Sequence, residues 1–170
     1  RHLGHYQALH LKKLFPKLFK NTYKFTFVRN PWERAVSSYL FAKKGGTKDT
    51  DLVNSEQYNI PEFDSFLSFV KNWLVNQDLM NVDYIFKAQS EFIFDERGHL
   101  LIDYVGRLEN FDSDIVHIKN NVEFKVKIIH KNKASTNLHY SNYYDEEAKM
   151  IIRKLYLKDV VNFDYKFLES

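Results

Sequence analysis

The stretch Phe25–Tyr39, FTFVRNPWERAVSSY, constrains this chain more than any other. Its pattern changes period in the middle. Tyr23–Val28 (YKFTFV) is short, aromatic and β-branched, which reads as a buried strand. Asn30 is a good N-cap, Pro31 suits the first helical position, and Glu33 falls three after the cap. That is a capping box with Asn in place of Ser. The sequence therefore predicts strand, tight turn and helix start, with the helix running to about Phe41. A helix N-terminus offers backbone N–H groups and a positive dipole end, so it attracts phosphate. Arg29 sits in the turn and has the fork geometry for bidentate bonding to a phosphate. Ser37 lies about two helical turns on and reaches the same anion if the phosphate lies alongside the helix. A structural reading fits the same residues: Arg29 and Arg34 pair with acids at the core edge, and Ser37 is a small packing residue.

The flanking sequence predicts alternating helices and strands. Residues 5–15 read as a helix, and residues 43–60, with Gly45, Gly46 and Thr47, as a surface loop. Phe63, Phe66, Leu67, Val70 and Leu74 recur at helical spacing behind Pro61 and Asp64. Leu101–Val105 reads as a second strand, 111–121 as a helix and Lys125–Ile129 as a third strand. Asp145, Glu146 and Glu147 open a last helix with Ala148, Ile151, Ile152 and Leu155 inward. The alternation argues for an α/β fold with a mainly parallel sheet.

Hydrophobic residues make up 44% of the 170, enough for one domain with a proper core. No apolar run approaches the ~18 residues of a membrane helix. With no Cys, a disulfide framework and thiolate zinc sites are excluded. The absence of an Asn-x-Ser/Thr sequon disfavours a secretory-pathway protein. The net charge of +3 hides an asymmetry: residues 1–48 sum to +10 and residues 49–170 to −7. A basic N-terminal third suits a multiply charged anion, whether nucleic acid, a phosphorylated nucleotide or a sulfated glycan, or it is simply a solvated surface.

VRNPWERAVSSY resembles the 3′-phosphate-binding segment of the sulfotransferases, Val-Arg-(Asp/Asn)-Pro-x-x-Arg-x-x-Ser. DYVGRLEN (103–110), followed by Asp112 or Asp114, resembles that family's Val-Gly-Arg-x-Glu-Asn segment. HKNKAS (130–135) resembles a loop near the cofactor, and Tyr143–Asp145 with DVVNFDYKF resembles the family's end. The carbohydrate-type enzymes, especially bacterial members, are the nearest group. The resemblance implies a three-layer P-loop nucleotide-transferase-like domain over residues 1–170. It also implies sulfuryl transfer from 3′-phosphoadenosine 5′-phosphosulfate (PAPS) to a carbohydrate hydroxyl, with no metal. Arg29 and Ser37 would bind the 3′-phosphate, Lys133 and Ser135 would be further cofactor contacts, and Arg34 would support the site. The family's 5′-phosphosulfate loop and its strand have no counterpart in residues 1–22, so the domain is expected to lack them. Bacterial kinship implies a cytoplasmic protein; a eukaryotic one would sit in the Golgi lumen.

Sulfuryl transfer needs a base for the acceptor hydroxyl. Of seven His, His5 stands out: GHYQAL resembles the Gly-His segment of heparan sulfate 2-O-sulfotransferases, which implies that His5 is the catalytic base and His2 an orienting neighbour. Metal ligation by His2 and His5 lacks a matching carboxylate nearby. Tyr143 and Tyr144 are candidates for stacking on adenine or for core packing, and Arg107 with Glu109 for a structural ion pair. Two other functions fit the same residues: a kinase-like phosphotransferase on this fold, and a non-catalytic module that holds polyanions on its basic face.

Overall fold

A computed structural model describes residues 6–45, 55–122 and 138–169. In chain order the helices and strands are α1 (Ala8–Leu14), α2 (Pro16–Asn21), β1 (Phe25–Val28), α3 (Pro31–Lys43), α4 (the single turn Phe66–Ser68), α5 (Ser90–Ile93), β2 (Tyr104–Arg107), α6 (Phe111–Asn121), α7 (Glu146–Leu155) and α8 (Leu157–Asn162). They fall into two compact units, residues 1–29 with 88–133 and residues 30–87 with 134–170.

In the first unit β1 and β2 pair in parallel, Phe25 opposite Tyr104 and Val28 opposite Arg107. This is the α/β signature expected from the alternation, since parallel neighbours need a crossover. The second strand begins three residues later than the hydrophobic run Leu101–Val105 predicts. Hydrogen bonding explains the shift. Leu101 N–H donates to Ile93 C=O, while Asp103 and Tyr104 N–H both donate to Lys24 C=O. The Asp103 carboxylate accepts from Lys24 N–H and from its ammonium, both at 2.7 Å. Leu101 and Ile102 therefore leave the ladder before it starts. The predicted third strand, Lys125–Ile129, lies outside the described residues.

Helix α6 covers this pair, with the Phe27 and Phe111 ring centroids 4.9 Å apart. Gly106 makes that approach possible: a Cβ there would stand 2.8 Å from Phe27 Cε1 and 3.2 Å from Asp114 Cβ. Gly106→Ala is expected to cost about 1–3 kcal/mol of stability, the usual effect of overpacking. Denaturant titration checks this, and an unchanged midpoint would show that the ring yields freely. The basic N-terminal charge is largely solvated: Lys12, Lys13, Lys17 and Lys20 on α1 and α2 are exposed. The predicted helix over 5–15 is realised as α1, broken before Pro16, where α2 restarts.

The second unit is built on aromatics. Tyr39, Phe63, Phe66, Phe69 and Phe86 are all less than 5% exposed. The segment behind Pro61 is helical, as its spacing predicts, but it is not one α-helix. Ser65 Oγ accepts from Ser68 N–H and caps the single turn α4. A wider π turn follows over Phe69–Trp73, then a 3-10 turn over Leu74–Asn76. The π turn sets Phe69 and Trp73 face to face, with centroids 5.5 Å apart and planes at 24°. Helix α7 follows its sequence closely, but it is not the last helix as expected: the chain turns at Tyr156 and a further helix, α8, follows. Asp145 Oδ1 accepts from Ala148 N–H at 2.9 Å, and Ala148 and Ile152 are fully buried. Lys71 pairs with Asp145 and Glu147, which holds the Asp145 carboxyl below the usual carboxylate range.

Candidate functional site

The strand–turn–helix segment is where the sequence predicts it. Val28 ends β1 and is 2% exposed. The backbone of Arg29 is then gripped by one side chain: Arg29 N–H donates to Gln89 Oε1, and Gln89 Nε2 donates back to Arg29 C=O, both at 2.8 Å. The carboxamide thus stands in for a neighbouring peptide and continues the ladder by one residue. Gln89 escaped the sequence reading. Lys87, Ser90 and Glu91 surround it, so nothing in the local sequence singles it out. Gln89→Leu removes both bonds and is expected to lower the unfolding free energy by about 1–3 kcal/mol. Thermal unfolding of the variant checks it, and no loss would show the grip to be idle.

Asn30 begins the second unit and is 3% exposed. Its Oδ1 accepts from Trp32 N–H at 3.0 Å, its C=O from Arg34 N–H at 2.8 Å, and its Nδ2 donates to Lys166 C=O at 2.9 Å. The last bond explains Asn at a position where the resembling motif also admits Asp: a carboxylate cannot donate to a carbonyl. The cap occupies part of the helix end. Pro31 carries no N–H, Asn30 takes that of Trp32, and that of Arg34 is intrahelical.

The neighbouring serines differ. Ser38 donates to Ile85 C=O at 2.8 Å and ties α3 to the core. Ser37, half-buried, makes no hydrogen bond among the described residues, and no buried side-chain N or O among them lacks a partner. Its hydroxyl is therefore reachable and uncommitted among the described residues. Arg34 faces the core of its unit. Tyr156 is buried there, donates to Phe86 C=O and is pushed up to about 12 by burial, with the charge of Arg34 opposing and that of fully buried Asp159 assisting. Trp32 anchors the same helix, with Nε1 donating to Lys149 C=O and its own C=O accepting from Tyr144 OH. Tyr144 also packs its ring on Phe66, 4.8 Å away, so core packing is its use.

The second motif is also structural. Asp114 accepts from Tyr104 OH at 2.8 Å and from Arg107 N–H at 2.6 Å, which selects it over Asp112 as the acid that joins β2 to α6. The described histidines are accounted for. His99 bonds Asp95, His117 stacks on Tyr104, His139 caps a 3-10 turn, and exposed His10 meets the Tyr6 ring edge-on. His2, His5, Lys131, Lys133 and Ser135 lie outside the described residues. No group of three or more metal-ligating side chains gathers among the described residues.

A model described as the sulfotransferase family matches residues 2–166. This chain belongs to the sulfotransferase family. The match covers both motifs described above and nearly all of the sequence. An uncharacterized protein of Archaeoglobus fulgidus is 29% identical to this sulfotransferase over 107 residues, which is 62% of this chain and 72% of the relative. No solved structure matches. Sulfuryl transfer is the family's chemistry, and it implies an acceptor substrate. Among the described residues, no helix is long and apolar enough to cross a membrane.

Proposed function

We propose that this sulfotransferase moves the sulfuryl group of PAPS to a carbohydrate hydroxyl, as a three-layer P-loop-like domain. The observation that carries this reading is the segment Arg29–Ser37: a family-matching motif in which the strand end is gripped, the helix is capped, and Ser37 keeps an uncommitted hydroxyl. A cationic guanidinium and a hydroxyl donor are the donor set a ribose 3′-phosphate needs. PAPS, when bound, supplies the sulfuryl group.

The protein's own residues have separable tasks. Arg29 and Ser37 hold the 3′-phosphate and so fix the nucleotide. Lys133 and Ser135 add donors to the cofactor side. His5 takes the proton from the acceptor hydroxyl as that oxygen attacks. No metal is assigned a step. Arg34, Trp32 and Asn30 hold the helix that carries Ser37.

A thermal-shift series tests the reading against its rivals. 3′-Phosphoadenosine 5′-phosphate (PAP) is expected to raise the melting temperature more than ATP or oligonucleotides do. ATP with Mg²⁺ as the strongest stabiliser would indicate a phosphotransferase. Oligonucleotides as the strongest would indicate a polyanion-binding module.

A further inference from the structure

Within the second unit, an open groove of about 590 Å³ lies beside the π turn. Its lining differs from that of an anion site. Lys87 is the one cation among the described residues that line it, and its ammonium donates to Met80 C=O at 2.6 Å. Asp83 brings a carboxylate, held by Tyr58 OH at 2.6 Å and Gln57 Nε2 at 3.1 Å. A sulfate or phosphate entering here meets that negative charge with little to offset it.

The polar atoms left over suit hydroxyls. Trp73 stacks its ring on Phe69, yet its indole N–H makes no hydrogen bond among the described residues. No buried side-chain nitrogen among the described residues lacks a partner, so this N–H, on a residue that lines the groove, reaches solvent. Gln57 and Gln77 spend their Nε2 groups on Asp83 and on Trp73 C=O. Their Oε1 atoms make no bond among the described residues. The groove thus presents a fixed donor beside several acceptors, on a floor held rigid by the aromatic core. A hydroxyl group both donates and accepts, so a hydroxyl-rich ligand satisfies this set where a purely accepting anion does not.

We infer that this groove binds a neutral, unsulfated sugar residue of the acceptor chain, away from Arg29 and Ser37 in sequence. The inference rests on the carbohydrate-acceptor reading and narrows it: the enzyme engages its polymer partly through an uncharged stretch. Trp73 is then a specificity residue, and Gln57 and Gln77 are its partners.

The test uses 5-fluorotryptophan and fluorine NMR, without nucleotide. The chain has two Trp, 32 and 73, and Trp73→Phe assigns the signals. Neutral tetrasaccharides of glucose, mannose, galactose and N-acetylglucosamine are titrated separately, alongside a heparin tetrasaccharide. At least one neutral sugar is expected to move the Trp73 signal and leave Trp32 in place, with heparin moving neither. Gln77→Ala and Gln57→Ala should each weaken that titration by about two- to tenfold, as loss of one neutral hydrogen bond does. An unmoved Trp32 signal in each variant reports an intact fold. No response to any neutral sugar overturns the inference. A heparin response at Trp73 as large as the neutral one also overturns it, as do two signals moving together. Because no donor is present, these outcomes are independent of whether PAP binds.

Discussion

His5→Ala is expected to lower kcat by about 10²–10⁴-fold, the usual worth of a positioned general base. An unperturbed imidazole titrates near neutral pH, so it accepts the acceptor's proton without a large environmental shift. Nucleotide affinity should stay nearly constant, because the proposed role of His5 is toward the acceptor and not the nucleotide. His10→Ala is the control. His10 is exposed on α1 and only meets the edge of the Tyr6 ring, so its loss should matter little. Labelled PAPS, the full-length protein and a glycan panel supply the assay. Near-normal turnover in His5→Ala would move the base to another residue while leaving the cofactor assignment standing.

Arg29→Ala should erase most of the preference for PAP over adenosine 5′-phosphate. Charge-assisted bonds contribute roughly 1.5–3 kcal/mol each, which is about ten- to a hundredfold in affinity. Ser37→Ala should cost less, since its hydroxyl is a neutral donor. Calorimetry with both nucleotides reads the preference directly. If the unmutated protein binds the two equally, neither side chain reads a 3′-phosphate. Gln89→Leu offers a useful contrast. Gln89 holds the backbone of Arg29 at both its N–H and its C=O, so its effect on affinity should act through the guanidinium's position and largely vanish in the Arg29→Ala background.

The two motifs mark how differently sequence and structure contribute. Residues that act through local chemistry were legible. Asn30 and Pro31 begin a helix and Asp145 caps another, because caps are satisfied by neighbours a few residues away. The β1 segment was legible from its aromatic and β-branched run, and its parallel pairing from the alternation of elements, but the strand starts at Phe25 and is buried only at Val28, with Phe25 exposed, so the expected buried strand is buried at one end alone. The single long helix expected behind Pro61 was not realised. Hydrophobic spacing says which residues must face inward, and Phe63, Phe66, Val70 and Leu74 do. It does not say that the turn between Phe69 and Trp73 is a wide π turn, which sets their rings face to face.

The rest depends on partners distant in the chain. Gln89 meets Arg29 across 60 residues, and Asn30 meets Lys166 across 136. The start of β2 was set by Asp103 turning to Lys24, 79 residues away. Of two adjacent serines, only the fold commits Ser38 to Ile85 and leaves Ser37 uncommitted. The sequence by itself determined the strand–turn–helix and its family, because motif order and capping are written locally. Tertiary structure decided which polar groups are spent on holding that motif and which remain to meet a ligand, because a hydrogen bond is spent only when folding brings its partner within reach.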